Sequence, residues 1–186
     1  MRLVIKNMVC GRCEMAVKNE LDKLGVPFLD MRLGEVTLDR SLGEKEKREL
    51  SENLKNIGFE LLDDKTSQTI ERIKNLIVTL VHHEEARPKV NLSTYLAADL
   101  NQDYSALSNL FSENEGVTIE RFFIAQKIER VKELLLYNEL TLSEIAYQMH
   151  YSTVGHLSNQ FKKTTGITPT QFKQSNEVKR KQIDEV

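Results

Sequence analysis

The run Leu142-Ser143-Glu144-Ile145-Ala146-Tyr147-Gln148-Met149, followed by His150-Tyr151-Ser152 and then Thr153 through Phe161, sets the architecture of the C-terminal half. Its apolar residues recur at helical spacing on both sides of a three-residue break. A weaker copy stands fifty residues earlier: Leu92-Ser93-Thr94-Tyr95-Leu96-Ala97-Ala98-Asp99-Leu100, then Asn101-Gln102-Asp103, then Tyr104 through Phe111. Leu-Ser-Asn recurs at 107–109 and 157–159, and each copy ends in Phe. Each copy reads as a short helix, a tight turn and a second helix, a helix-turn-helix unit. The turn needs a residue with positive φ, which Asn101 supplies readily and His150 tolerates. Thr141 and Glu144 read as a capping box opening the second copy, and Ser152 as the cap of its second helix. Thr168-Pro169 reads as an N-cap followed by proline at the first helical position.

Between the copies, apolar positions 119, 122, 123, 128, 131, 134 and 135 predict a helix from Ile119 to Leu136 with one buried face. Eighteen residues give a rod of roughly 27 Å. That length suits two reading helices in successive major-groove segments, which are about 34 Å apart. The reading positions lie near the start of each second helix. In the first unit they are Gln102, Tyr104, Ser105, Ser108 and Asn109. In the second they are Thr153, Val154, Gly155, His156, Ser158 and Asn159. Asn and Gln can pair bidentately with adenine, and Ser and Thr read either way. Lys162 and Lys163, one turn later, suit phosphate.

Residues 90–175 resemble the DNA-binding domain of AraC/XylS-type transcription regulators. The likeness rests on Leu142-Ser143-Glu144-Ile145-Ala146, Tyr151-Ser152, Phe161-Lys162-Lys163-Thr164-Thr165-Gly166-Ile167-Thr168-Pro169, and Lys127 through Leu135. The resemblance implies two helix-turn-helix units joined by a long helix, with double-stranded promoter DNA as partner. His150 stands where the family usually has Gly, and Asn109 and Asn159 where many members have Arg.

The N-terminal third has a different pattern. Residues 2–9 read as a strand, and Cys13 to Leu24 as a helix ended by Gly25 and Pro27. Val26–Arg32 and Glu35–Asp39 read as two strands joined at Leu33-Gly34. Lys45–Ile57 reads as a helix, and Phe59–Leu62 as a last strand. The order βαββαβ predicts a ferredoxin-like sandwich. Asp63 to Ser67 reads as a polar linker, and Ile70, Ile73, Ile77, Leu80 and Val81 mark a further helix, broken at His82-His83-Glu84-Glu85-Ala86-Arg87-Pro88. The expected organisation is therefore an α+β domain at 1–65, a helical connector at 66–90, the all-α double helix-turn-helix at 91–175 and a basic, polar tail at 176–186 that includes Lys179-Arg180-Lys181.

Cys10 and Cys13 lie where the first strand meets the first helix, so both thiols can face one point. Thiolates prefer soft ions: two alone suit Cu(I), and zinc would need two more ligands. Met8-Val9-Cys10-Gly11-Arg12-Cys13, with Gly58-Phe59 closing the second helix, resembles the heavy-metal-associated domain of copper chaperones and copper ATPases. Asn7 replaces that family's Gly. The resemblance implies Cys10 and Cys13 as ligands of Cu(I) or another soft ion, Met8 as a buried support and Phe59 as a packing neighbour. A thiol-disulfide role and inert thiols in a packing or dimerisation domain stay open.

Composition bounds the reading. The chain has 186 residues, 26 basic and 28 acidic side chains, and a net charge of −2. It has no run of about 18 apolar residues and no secretory-signal pattern at its start, and two cysteines form no disulfide framework. A cytoplasmic protein with reduced thiols and no membrane partner is expected. Residues 91–115 carry no Lys or Arg, whereas 156–182 carry six basic groups against Glu177, so polyanion contact should concentrate toward the C-terminus. No phosphate loop, nucleophile elbow or HExxH pattern occurs, so an enzyme is not expected. The reading is a DNA-binding regulator responsive to a soft ion, with no cofactor required for DNA binding itself. A homodimer and a metal-donor protein are candidate partners. The alternatives are a metal-trafficking module whose helical half docks partners and a regulator with a metal-free N-terminal dimerisation domain.

Overall fold

The computed structural model describes residues 1–82 and 91–174. Four strands, β1 (Arg2–Lys6), β2 (Phe28–Arg32), β3 (Glu35–Leu38) and β4 (Glu60–Leu62), alternate with α1 (Gly11–Lys23) and α2 (Glu44–Asn56) in the order βαββαβ. They form one antiparallel sheet in the order β2-β3-β1-β4. Alternation along the strands decides which residues meet the helices. Leu3, Ile5, Val36 and Leu38 point to one face and share a core with Val17 and Leu21 of α1 and Leu50 and Leu54 of α2.

The other face of the sheet is covered by α3 (Lys65–His82). This helix begins inside the expected linker, because the Asp64 carboxylate accepts from the Ser67 N–H at 2.8 Å and opens the helix there. It buries two faces. Ile70, Ile73, Ile77 and Val81 belong to the core of the helical half, while Glu71 and Asn75 are also buried, on the side toward the sheet. The expected connector is thus a structural wall shared by both halves.

The helical half continues with α4 (Leu92–Leu100), α5 (Tyr104–Glu115), α6 (Ile119–Tyr137), α7 (Leu142–Gln148), α8 (Val154–Thr165) and α9 (Pro169–Gln174). Asn101 and His150 hold φ of 51° and 53°, as the two turns require. Thr141 and Glu144 form their capping box, and the Thr168 hydroxyl accepts from the Gln171 N–H. Of the seven apolar positions expected to be buried on α6, six are, and Phe123 is half-buried.

Three local expectations are corrected. The cap of α8 is Thr153, whose hydroxyl accepts from the His156 N–H at 3.0 Å, and not Ser152. Burial of Tyr151, Leu157 and Phe161 fixes the helix register one residue later. The first helix starts at Gly11 rather than Cys13, with Cys10 in extended conformation as its N-cap. The first strand ends at Lys6, because Asn7 turns the chain with φ 72°. The run from His83 to Pro88 and the basic tail lie outside the described residues.

Candidate functional site

The two units present their second helices in the same way. In α5, Leu107 and Phe111 are buried and anchor the helix, which leaves Ser105 and Asn109 exposed and Tyr104 and Ser108 half-buried. In α8, Leu157 and Phe161 do the same, and Phe161 meets Phe172 of α9 edge-on with ring centroids 5.6 Å apart. Gly155, His156 and Asn159 are exposed, as are Lys162 and Lys163, while Val154 and Ser158 are half-buried. Spacing by three and four puts these residues on the face opposite the anchors.

Three of the expected reading residues, Tyr104, Thr153 and His156, have intramolecular side-chain partners. Asp103 caps α5 by accepting from the Ser105 and Ala106 N–H groups, which leaves exposed Gln102 just ahead of the helix. The Tyr104 hydroxyl donates to Glu120 at 2.5 Å; burial and then that carboxylate push its pKa well above the ordinary phenol value. Thr153 is committed to its cap.

Around His156 the structure adds residues that spacing does not single out. Its Nδ1 stands 3.2 Å from the Ser152 hydroxyl, and its ring meets Tyr151 edge-on at 5.3 Å. The Tyr151 hydroxyl donates to Gln160 at 2.6 Å, and burial pushes its pKa up to about 12. The Lys127 ammonium lies 3.9 Å from the centre of the Tyr151 ring. This stack ties α6 to the start of α8. Its only sequence signal is an aromatic residue immediately after the turn.

The acids of the first unit are largely absorbed by the fold. Asp99 stands 3.7 Å from Arg72, and Glu115 2.7 Å from Lys74, both cations supplied by α3. Asp103 is the helix cap. Of the four acids between 91 and 115, only Glu113 lacks one of these roles, so the missing bases there do not leave a concentrated negative field on the reading face.

In the N-terminal half, Cys10 and Cys13 hold their sulfurs 3.5 Å apart and are both partly exposed. Burial raises the Cys10 thiol, but the Cys13 N–H and side chain, the Arg12 N–H and the Arg12 guanidinium outweigh it and leave the pKa below the ordinary value. Burial raises that of Cys13, and the adjacent Cys10 adds to the effect. Met8 is fully buried in the core that Cys13 and Phe59 pack against. Among the described residues no group of three or more His, Cys, Asp or Glu side chains converges as a metal cage. Two thiols alone are a donor pair that suits a soft, low-coordinate ion. Also among the described residues, no helix is long and apolar enough to cross a membrane.

Residues 96–175 match the family model described as a helix-turn-helix domain. A helix-turn-helix transcriptional regulator of Bacillus subtilis, YtdP, is 22% identical over 154 residues, which is 81% of this chain and 20% of that protein. A helix-turn-helix transcriptional regulator of Staphylococcus aureus is 31% identical over 113 residues, 61% of this chain and 14% of that protein. The chain thus spans a fifth or less of the length of these relatives. In fold, it is similar to the C-terminal domain of AraT, a response regulator from Geobacillus stearothermophilus, with a TM-score of 0.51 and 24% identity over 63% of this chain and 97% of that one. The repeated units, their turns and caps, and these likenesses together identify residues 96–175 as a helix-turn-helix domain.

Proposed function

We propose that the chain binds double-stranded promoter DNA sequence-specifically, with α5 and α8 in successive major-groove segments and α6 as the spacer. The observation that carries this reading is the duplicated presentation: two buried anchors per second helix, with an exposed polar face opposite. Asn109, Asn159, Ser105, Ser108, Ser158 and His156 are the base-edge readers, and Lys162 and Lys163 neutralise phosphate. Gln102 and Tyr104 flank the first reading helix, and Gly155 and Val154 allow close approach at the second. The His156 orientation is set by Ser152 and Tyr151.

The N-terminal part acts in this reading as a ferredoxin-like, heavy-metal-associated module. Its strand order, the 3.5 Å sulfur pair and the burial of Met8 support that role. Cys10 and Cys13 would hold Cu(I), which supplies a positive charge and a cross-link between the two thiolates. The Arg12 guanidinium and the N–H groups around Cys10 favour the thiolate form. With both thiolates held together in this way, the packing of this part on α3 would change.

The test is DNA affinity at fixed salt, by anisotropy on the gene's own upstream region, reduced and anaerobic, with and without one equivalent of Cu(I). A change of more than about fivefold, roughly 1 kcal/mol of coupling, supports the regulator with its sensor. Sequence-selective binding that ignores Cu(I) and is the same in a Cys10→Ser, Cys13→Ser variant favours a metal-free N-terminal domain. Absence of selective binding at about 150 mM salt refutes the DNA reading, since specific sites exceed non-specific ones by orders of magnitude there.

A further inference from the structure

Strand β2 is an outer strand of the sheet, and no strand among the described residues pairs with its far side. Leu29, the extra residue at the bulge opposite β3, is 71% exposed, and Asp30 and Arg32 are exposed beside it. The backbone of this edge is free as well. Arg32 and Glu35 flank a two-residue loop, and the pair that flanks such a loop exchanges both ladder bonds. Ladder bonds alternate along an antiparallel pair, so the Met31 N–H and C=O point away from β3. An unpaired edge of this kind is a template for another strand.

Asp30 and Arg32 are two residues apart and share one face of the strand. The charges around them are taken: Arg72 pairs with Glu35 and reaches Asp99, and Arg2 stands 3.7 Å from Glu35. Among the described residues, Asp30 and Arg32 form an ion pair only with each other, with side chains 53% and 72% exposed.

These groups decide how a second copy can approach antiparallel. A two-fold axis at Met31 sets Met31 opposite itself, and the two free backbone pairs bond each other. The same register sets Asp30 opposite Arg32 of the second copy, twice over, and brings Leu29 beside Leu33 of the second copy. An axis at Asp30 sets two carboxylates opposite each other, and an axis at Arg32 two guanidiniums. Both of those registers also turn backbone groups already bonded to β3 toward the interface. Like charges directly opposite are destabilising, so one register is selected. A lone edge lysine repels every partner strand, whereas an Asp and an Arg in alternation repel all but the matching one.

We infer that the chain forms a two-fold homodimer through the β2 edge, with Met31 on the axis and Asp30 of each copy opposite Arg32 of the other. Two four-stranded sheets then become one continuous sheet. Five residues span roughly 17 Å, so the interface is small and the association reversible. The surface involves neither α5 nor α8, and the inference does not rest on the DNA-binding reading.

The test is sedimentation equilibrium of the full chain, reduced and without DNA or metal, from about 5 to 500 μM, a range that registers micromolar dissociation constants. The expected result is a mass that rises from monomer toward dimer across that range. Asp30→Arg and Arg32→Asp, each alone, should weaken the dimer by about tenfold, since two cross-strand pairs turn from attraction to repulsion. An equal mixture of the two variants sets opposite charges face to face again and should associate as tightly as the parent. The double variant Asp30→Arg, Arg32→Asp exchanges the charges within one chain and should dimerise like the parent. It decides the matter if circular dichroism shows a single variant to be unfolded. A parent that stays monomeric throughout, single variants that associate as the parent does, or a mixture no tighter than either variant alone overturns the assignment. A chain that fails to bind DNA selectively leaves each of these outcomes unchanged, so the two readings fail separately.

Discussion

Gly34 closes the β2–β3 hairpin with φ 75°, directly beneath α3. Replacing it with alanine perturbs two things that can be separated. An L-residue in the left-handed region costs about 1–2 kcal/mol. The new Cβ would also overlap the Asn75 amide nitrogen and stand 2.7 Å from its Cγ. Overpacking usually costs about 1–3 kcal/mol, and the low end applies because the obstructing group is the end of a side chain beside an open cleft. Gly34→Ala should therefore destabilise by about 2–3 kcal/mol, with the backbone term the larger. Asn75→Ala alone should stay within about 1 kcal/mol, because its amide nitrogen has no hydrogen bond to lose. The double variant should recover the steric part, so that the pair shows a coupling of about 1 kcal/mol in favour of the double change. Urea unfolding of all four proteins, followed by circular dichroism, measures the cycle. Additivity within about 0.3 kcal/mol would refute the seating of Asn75 on the hairpin. A Gly34→Ala variant as stable as the parent would refute the turn conformation as well.

Two further outcomes follow from charge. Replacing both Lys162 and Lys163 with alanine should flatten the dependence of log affinity on log salt by about 1.8, twice the slope per phosphate contact; an unchanged slope removes them from the interface. Glu71 is buried, which raises its carboxyl pKa against the opposing pull of Lys74, the Asn7 N–H and Lys6. The folded state therefore holds this proton more tightly than the unfolded chain, and stability falls as pH rises from the unfolded value of about 4.3 through the raised folded one. Glu71→Gln keeps an acceptor for Asn7 and should be more stable than the parent above that window and equal to it below. Equal urea midpoints at both ends would refute the burial of a charge there.

The double helix-turn-helix was legible because its boundaries are written in local chemistry. A capping box at Thr141–Glu144, an Asn in the left-handed turn position at 101 and a Thr-Pro start at 168 each determine a helix end without help from distant residues. Where neighbouring residues offered the same chemistry, the choice fell to packing. Ser152 and Thr153 both carry a capping hydroxyl, and burial of Tyr151 and Leu157 selected Thr153. The Cys10 end of α1 was hidden for a different reason, since cysteine is not a residue that announces a helix start. At the second helix of each unit, the exposed faces followed from the spacing of Leu107, Phe111, Leu157 and Phe161. The Tyr104–Glu120 bond and the Lys127–Tyr151–Gln160 stack did not, because each joins helices whose relative placement depends on the whole core. Glu71 and Asn75 look like solvent-facing residues of an amphipathic helix and become buried only because the sheet offers its second face to α3.

The two faces of α3 are held by different kinds of contact. Toward the helical half it buries Ile70, Ile73, Ile77 and Val81, at about 1.5–3 kcal/mol for each such side chain. On its other side it buries Val78, at helical spacing from Glu71 and Asn75, a carboxylate held by one 3.3 Å bond from Asn7, and an amide whose nitrogen has no partner among the described residues. Burying a polar group without a good partner costs free energy comparable to what a hydrogen bond gains. The seam between α3 and the sheet thus has fewer apolar anchors than the one between α3 and the helical half. Asn7, which makes the bond to Glu71, lies three residues before Cys10. Glu35 on β3 pairs with Arg72, which in turn reaches Asp99 on α4 of the first helix-turn-helix unit. Any change at the cysteine loop that shifts Asn7 thus acts directly on the seam between α3 and the sheet.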